Sequence, residues 1–213
     1  MAKRDNHYEA AFEAWLRSLR VPYVAVDETH RAALPAASRS GRTLKNLDFI
    51  VSPVAGPLSW LVDVKGRQFP TAGHQFWRNW STADELESLA AWEELFGRRS
   101  AGLLVFAYNI VAEFSPLPAE ELFVHRDCQY GFVGIRLEHY TSFARQLSPR
   151  WGTVSMSVPR FRSLARPVRE FLGVPLPGPP AAASRLPSGF PSTSVSNVSD
   201  ENNSRLESPP LRA

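Results

Sequence analysis

Three charged side chains, Asp48, Asp63 and Lys65, stand inside apolar segments, and chemistry would start from them. The stretch 46–66, NLDFIVSPVAGPLSWLVDVKG, reads as two strands, Leu47–Ser52 and Ser59–Lys65, separated by Pro53, Gly56 and Pro57. Burying unpaired charge is costly, so two acids and a lysine on core-bound strands need a reason. Alternation along a strand puts Asp63 and Lys65 on one face. A turn centred between Ala55 and Gly56 places Asp48 directly across from Asp63, with Cβ atoms roughly 5 Å apart. Two carboxylates that close repel unless a cation lies between them or one is protonated. Mg²⁺ suits such a pair: it takes one or two carboxylates, keeps several waters and leaves positions for phosphate oxygens. Lys65, one step along the same face, could orient or deprotonate a water, or stabilise phosphate charge. An edge hairpin with its charges in water accounts for Asp48 and Lys65 separately, and less well for all three on facing positions.

An acid, a short hairpin and then acid-any-Lys on the next strand resembles the pattern of the PD-(D/E)xK nuclease superfamily. Asp48 matches the first acid and Asp63-Val64-Lys65 the second part; Asn46-Leu47 precedes the first acid where the family pattern has proline. The resemblance implies an α/β fold, a central mixed β-sheet flanked by helices with a restriction-endonuclease-like core. It implies Mg²⁺, or Mn²⁺ in its place, held by Asp48, Asp63 and the main-chain carbonyl of Val64. Lys65 would serve the attacking water, and the reaction would be hydrolysis of phosphodiester bonds in DNA. In the superfamily a first-helix glutamate often completes the metal site, and Glu9 is the matching candidate. The branches most alike are the junction resolvases and small endonucleases, which often act as homodimers. The alternative is a catalytically inactive nuclease fold kept as a nucleic-acid-binding or assembly module. A third reading makes the motif accidental and the chain a protein-interaction domain.

The elements that must position these residues can be read around them. Asp5 or Asn6 caps a helix running to about Leu19, with Tyr8, Phe12, Trp15, Leu16 and Leu19 as its core stripe. Glu9 falls at the margin of that stripe, where two readings stand: a side chain reaching the sheet, or a first-turn glutamate favoured by the helix dipole. Glu13 lies farther round the polar face. Tyr23–Val26 is a short strand. Residues 32–46 form a basic loop with Arg39, Arg42 and Lys45, read either as a phosphate-backbone contact near the site or as a solvated loop; Glu28 is another acid near the site or, the reading favoured, a solvated loop charge; and His30 has no partner at metal-ligand spacing. After the hairpin, GRQFPTAGHQFWRNWST is a broken loop whose rings, Phe69, Phe76, Trp77 and Trp80, are read mostly as core, with Arg67 and Arg78 as nucleic-acid contacts.

Thr82-x-x-Glu85 has capping-box spacing and opens a second helix with Leu86, Leu89, Ala90, Trp92 and Phe96 on its apolar side and Gly97 as its stop. Ala101–Tyr108 is a strand buried on both faces. Helix, strand, hairpin, helix, strand over residues 8–108 is the core order of the superfamily, an agreement independent of the site residues. Beyond it, strands are expected at Leu122–His125, Tyr130–Leu137 and Thr153–Val158, a helix at Glu138–Leu147, and a helix from Phe161 split or kinked at Pro167. Arg145, Arg150, Arg160, Arg162, Arg166 and Arg169 follow one another with no acid among them; such a run is usually a solvated surface, and on a nuclease fold it is the candidate track for a duplex backbone, with Arg160 and Arg162 as the contacts.

Composition sets the frame. The chain has 213 residues, 44% hydrophobic and 21% charged, which fits one globular domain, 1–173, with an appended tail. Residues 174–213 hold eight of the eighteen prolines and many serines, the composition of a disordered tail. The single Cys128 excludes an internal disulfide and fits a reducing compartment. With no apolar signal core and no membrane-length apolar run, the expectation is a cytoplasmic protein with no membrane partner. A formal net charge of +3 permits nucleic-acid binding without demanding it.

Overall fold

The computed structural model of the chain describes residues 6–26, 45, 47–70 and 76–176. Its first helix, α1 (His7–Ser18), is capped by Asn6, whose side chain accepts from the Tyr8 N–H, and it buries Phe12, Trp15 and Leu16 as their spacing predicts. Strands β1 (Tyr23–Ala25), β2 (Phe49–Val51) and β3 (Ser59–Phe69) form an antiparallel meander. The pairs Phe49–Val62, Ile50–Leu61 and Val51–Trp60 have the register that the turn position predicts. β3 runs past Lys65, where the residue pattern predicts its end, because β5 (Ser100–Ile110) pairs with it in parallel from Ser59–Ser100 to Phe69–Ile110. Gly66 weakens the local strand propensity, but a ladder on the β5 side outweighs it.

The crossover between β3 and β5 carries β4 (Ser81–Thr82) and α2 (Ala83–Phe96). β7 (Cys128–Arg136) lies antiparallel to β5, and its outer edge is shared by β6 (Leu122–His125) and β10 (Arg166–Pro167). The product is a seven-stranded mixed sheet, β1-β2-β3-β5-β7-β10 with β6 also on β7. Helix α3 (Leu137–Phe143) is shorter than the sequence suggests, since β8 (Arg145–Ser148) instead pairs with β9 (Thr153–Ser155). With β4 these two strands make a small second sheet in the order β4-β9-β8. Pro167 divides the last helical region, as expected, into α4 (Val158–Leu164) and α5 (Val168–Leu172), with β10 between.

The two faces of the large sheet carry separate cores. On one, α1 and α5 cover Val62, Val64, Leu103 and Phe132. On the other, α2, α3 and α4 cover Leu61, Leu104, Phe106 and Ile135. β5, apolar at nearly every position, feeds both, which is why its sequence shows no alternation. Phe96 is exposed rather than part of the α2 apolar side, because it lies at the helix end beyond the sheet. The segment 77–80 is clamped from beneath. The buried Asn79 side chain holds the Met156 main chain at both N–H and C=O, 2.8 and 3.1 Å. The hydroxyls of Tyr108 and Tyr140 donate to the carbonyls of Arg78 and Asn79. Among the described residues no helix is long and apolar enough to cross a membrane. Glu28, His30, Arg39, Arg42, His74, Gln75 and the tail beyond residue 176 lie outside the described residues.

Candidate active site

A cleft of about 500 Å³ opens where β2 leaves β3, and it is lined by Glu9, Lys45, Asp48, Asp63, Lys65, Arg67, Trp80 and Glu85 among others. Regular β2–β3 pairing stops at Phe49–Val62. Asp48 then does something other than face Asp63 as its simple cross-strand partner. Its N–H donates to the Val62 carbonyl at 3.0 Å, and its carboxylate Oδ2 accepts from the Val64 N–H at 2.6 Å. Asp48 therefore straddles Asp63, bonded to the residue before it and the residue after it. The side chain takes over from the main chain as the partner of β3. Residues 62 and 64 present their N–H and C=O groups to the same edge of the strand, so the Val64 carbonyl is directed to the side on which the Asp48 carboxylate sits.

The sheet separates the other groups. Val62 and Val64 point to the α1 face, so alternation turns Asp63 and Lys65 to the α2 face. There the Lys65 Nζ lies 2.8 Å from Asp63 Oδ2 and 3.0 Å from Glu85 Oε1. Glu9 arrives from α1 on the opposite face, with its Oε1 accepting from Asn6 Nδ2 at 2.6 Å. Asp48, at the strand edge, stands between the two layers. The structure thus brings Glu9, Asp48, Asp63 and Lys65 to one cleft, and Glu13 does not join them: it faces Arg17 and Tyr23 at 2.7 and 2.9 Å.

Electrostatics mark Asp48 as the strained member. Burial, then the negative charges of Asp63 and Glu9, push its carboxyl well above the ordinary aspartate range, against the pull of the Val64 N–H and Lys65. Burial also raises Asp63, with Lys65 opposing. For Lys65 burial works to lower the ammonium's pKa, but Asp63 and Glu85 outweigh it and the result is raised. Among the described residues no group of three or more His, Cys, Asp and Glu side chains is gathered tightly enough to hold a metal ion unaided. The donors that are here, the carboxylates of Asp48 and Asp63 and the main-chain carbonyl of Val64, are hard oxygen ligands, the donor type a divalent cation such as Mg²⁺ takes.

Glu85 is the cleft residue that sequence reasoning missed. The capping box is present as expected, with Thr82 N–H donating to Glu85 Oε2 at 2.9 Å and Glu85 N–H to Thr82 Oγ1 at 3.3 Å. The same carboxylate also takes the Ser81 hydroxyl at 2.8 Å and the Lys65 ammonium. Burial alone would raise its pKa, but Lys65, the Thr82 N–H and Ser81 bring it down to about 2. The capping box places Glu85 in the first turn of α2, but its reach to Lys65 comes from how that turn packs on β3, which residue spacing does not encode.

Tyr8 and Gly66 fix the height of α1 over the site. A Cβ on Gly66 would lie 2.1 Å from Tyr8 Cδ2, so only glycine lets the ring lie on the strand. Gly66→Ala should push the ring away and displace the α1 N-terminus that carries Glu9. The expected cost is about 1–3 kcal/mol in a denaturant melt.

The arginines divide. Arg67 lines the cleft, stacked 3.9 Å from the Trp80 ring centroid and donating to the carbonyls of Gly66 and Trp80, while burial lowers its pKa. Arg78 is exposed on the clamped segment beside it. Arg160 and Arg162 are exposed on α4, lying over Phe143 and Trp77 at 4.6 and 5.4 Å. Arg169 is not part of a surface track: it is buried, with Nε 3.3 Å from Glu121 Oε2 and Nη1 donating to the Pro175 carbonyl. The helical period of α5 turns it inward, which the bare charge run could not show.

No protein-family model matches the chain. No curated protein matches it either. Among solved structures it is similar to Hjc of Archaeoglobus fulgidus, a Holliday junction resolvase from an archaeal hyperthermophile, at 12% identity and a TM-score of 0.45, over 79% of this chain and 94% of that one.

Proposed function

We propose that the chain is a divalent-metal-dependent nuclease acting on DNA, as the resemblance to the PD-(D/E)xK pattern implies. The observation that carries this reading is Asp48 straddling Asp63 at the end of β2, with the Lys65 ammonium against Asp63. Asp48, Asp63 and the Val64 carbonyl would hold Mg²⁺ or Mn²⁺, with Glu9 reaching it from the other layer. When bound, the ion supplies positive charge to the scissile phosphate and acidifies a water. The chain's own residues do the rest. Lys65, ion-paired to two carboxylates, is an ammonium and not a base. It donates a hydrogen bond to the attacking water or to a phosphate oxygen, and of the two roles open to a lysine here it keeps charge stabilisation. Glu85 holds that ammonium in place from α2. Lys45 and Arg67, the other cations of the cleft, offset phosphate charge as the strand enters. Arg78, Arg160 and Arg162 extend the basic surface for the backbone on either side.

The second reading, a nuclease fold that binds nucleic acid without cutting, has one observation in its favour: Lys65 is already held by Asp63 and Glu85, and the described acidic groups do not by themselves make a metal cluster. Incubating the purified chain with supercoiled plasmid and branched DNA in Mg²⁺, Mn²⁺ or EDTA separates the two. Cleavage that needs the metal and vanishes in Asp63→Ala supports the nuclease. Equal background from both proteins, with strongly salt-sensitive and metal-independent binding, supports the inactive module.

A further inference from the structure

The turn between β8 and β9 presents a tryptophan that the fold does not need. Trp151 is 68% exposed, Leu147 on the same hairpin is 61% exposed, and the Arg150 guanidinium lies 5.2 Å from the Trp151 ring centroid. The turn is nevertheless firmly placed. Gly152, in the left-handed region at φ +58°, donates to the Pro149 carbonyl at 3.3 Å, and its own carbonyl accepts from the Ala83 N–H at 2.8 Å. Ala83 opens α2, whose first turn carries Glu85 into the cleft, and Lys45 in the cleft wall reaches Thr82 Oγ1 at 3.4 Å. The exposed indole is therefore bolted to the rim of the site.

We propose that this hairpin is a stacking platform for unpaired nucleobases next to the cleft. An aromatic face left in water invites a flat apolar partner, and a guanidinium beside it invites one that carries negative charge. A nucleobase on its phosphodiester chain is both. The pairing of ring and guanidinium recurs nearby, Arg160 on Phe143 and Arg162 on Trp77, and from Arg145 to Arg169 the chain has no acid. A second copy of the same face would set guanidinium against guanidinium. A blunt duplex keeps its base faces stacked on one another, so the fitting ligand is a strand with unpaired bases: a single strand, or the open part of a fork or branch. The inference deepens the nuclease reading by naming its substrate class, and it rests on that reading for its biological sense; the binding itself needs no cleavage.

The test is fluorescence anisotropy in EDTA with labelled single-stranded, forked and blunt duplex DNA. The wild-type chain should favour the first two. Trp151→Ala should weaken single-strand binding by roughly tenfold, Trp151→Phe should restore most of it, and blunt-duplex binding should change by no more than about twofold in either. The proposal is overturned if Trp151→Ala leaves single-strand affinity unchanged, or lowers single-strand and duplex binding alike. It is also overturned if the loss appears on anionic phospholipid vesicles and not on DNA. Absence of cleavage with the Trp151-dependent preference intact would sustain this platform and count against the nuclease reading alone.

Discussion

On the proposed nuclease reading, Asp48→Asn is expected to abolish metal-dependent cleavage, by roughly 10³-fold or more, while making the protein more stable at neutral pH. The amide is nearly the same shape as the carboxylate, and its oxygen can still accept the Val64 N–H that Asp48 takes at 2.6 Å. What disappears is a negative charge that burial, Asp63 and Glu9 all disfavour. Because the folded-state pKa lies above the ordinary value of 3.8, the favourable contribution of the protonated form is complete below about that pH. It is lost as pH rises through the folded-state value. Thermal melts across acid to neutral pH should show the wild-type midpoint falling relative to Asp48→Asn over that window. Glu85 has the opposite sign. Held at about 2 against an ordinary 4.5, it stabilises above 4.5, and the contribution is lost as pH falls through about 2. A variant that gains stability and keeps full cleavage would remove Asp48 from the chemistry.

Phe12→Ala should cost about 3–5 kcal/mol, a large share of the roughly 5–15 kcal/mol that holds a domain together. Phe12 is fully buried and meets the rings of Trp15, Phe49 and Phe132 at 5.7, 5.3 and 5.3 Å. It is the point at which α1 grips the sheet. Urea unfolding should show a lower midpoint with an unchanged slope. Where the variant remains folded, the metal dependence proposed for the cleft should weaken with it, because the helix that loosens is the one presenting Glu9.

The hairpin was legible because two short apolar arms around a Pro/Gly turn admit few registers that keep both arms on their proper faces. The local step at Asp48 was not legible. Nothing in the residue order distinguishes a ladder that continues from one in which a carboxylate replaces the next main-chain partner, and that depends on how β1 holds the other edge of β2, down to the Val26 N–H on the Asp48 carbonyl. The α1 stripe and the α2 capping box follow from helical period and side-chain chemistry alone, both local. The second duty of Glu85 and the inward turn of Arg169 are tertiary facts: each depends on which element lies across from it. The end of α3 at Phe143 escaped for the same reason, since Arg145–Ser148 has no strong strand propensity and is extended by its pairing with β9.

The first turn of α2 ties its neighbours into one mechanical unit. Its opening N–H holds the Trp151 turn, its cap residue meets Lys45, and its third residue grips the lysine ammonium. The turn that carries the indole and the carboxylate that holds Lys65 thus share one helical turn. On the proposed reading, a strand stacked at the rim and a phosphate in the cleft would be coupled through that joint, with no domain motion required.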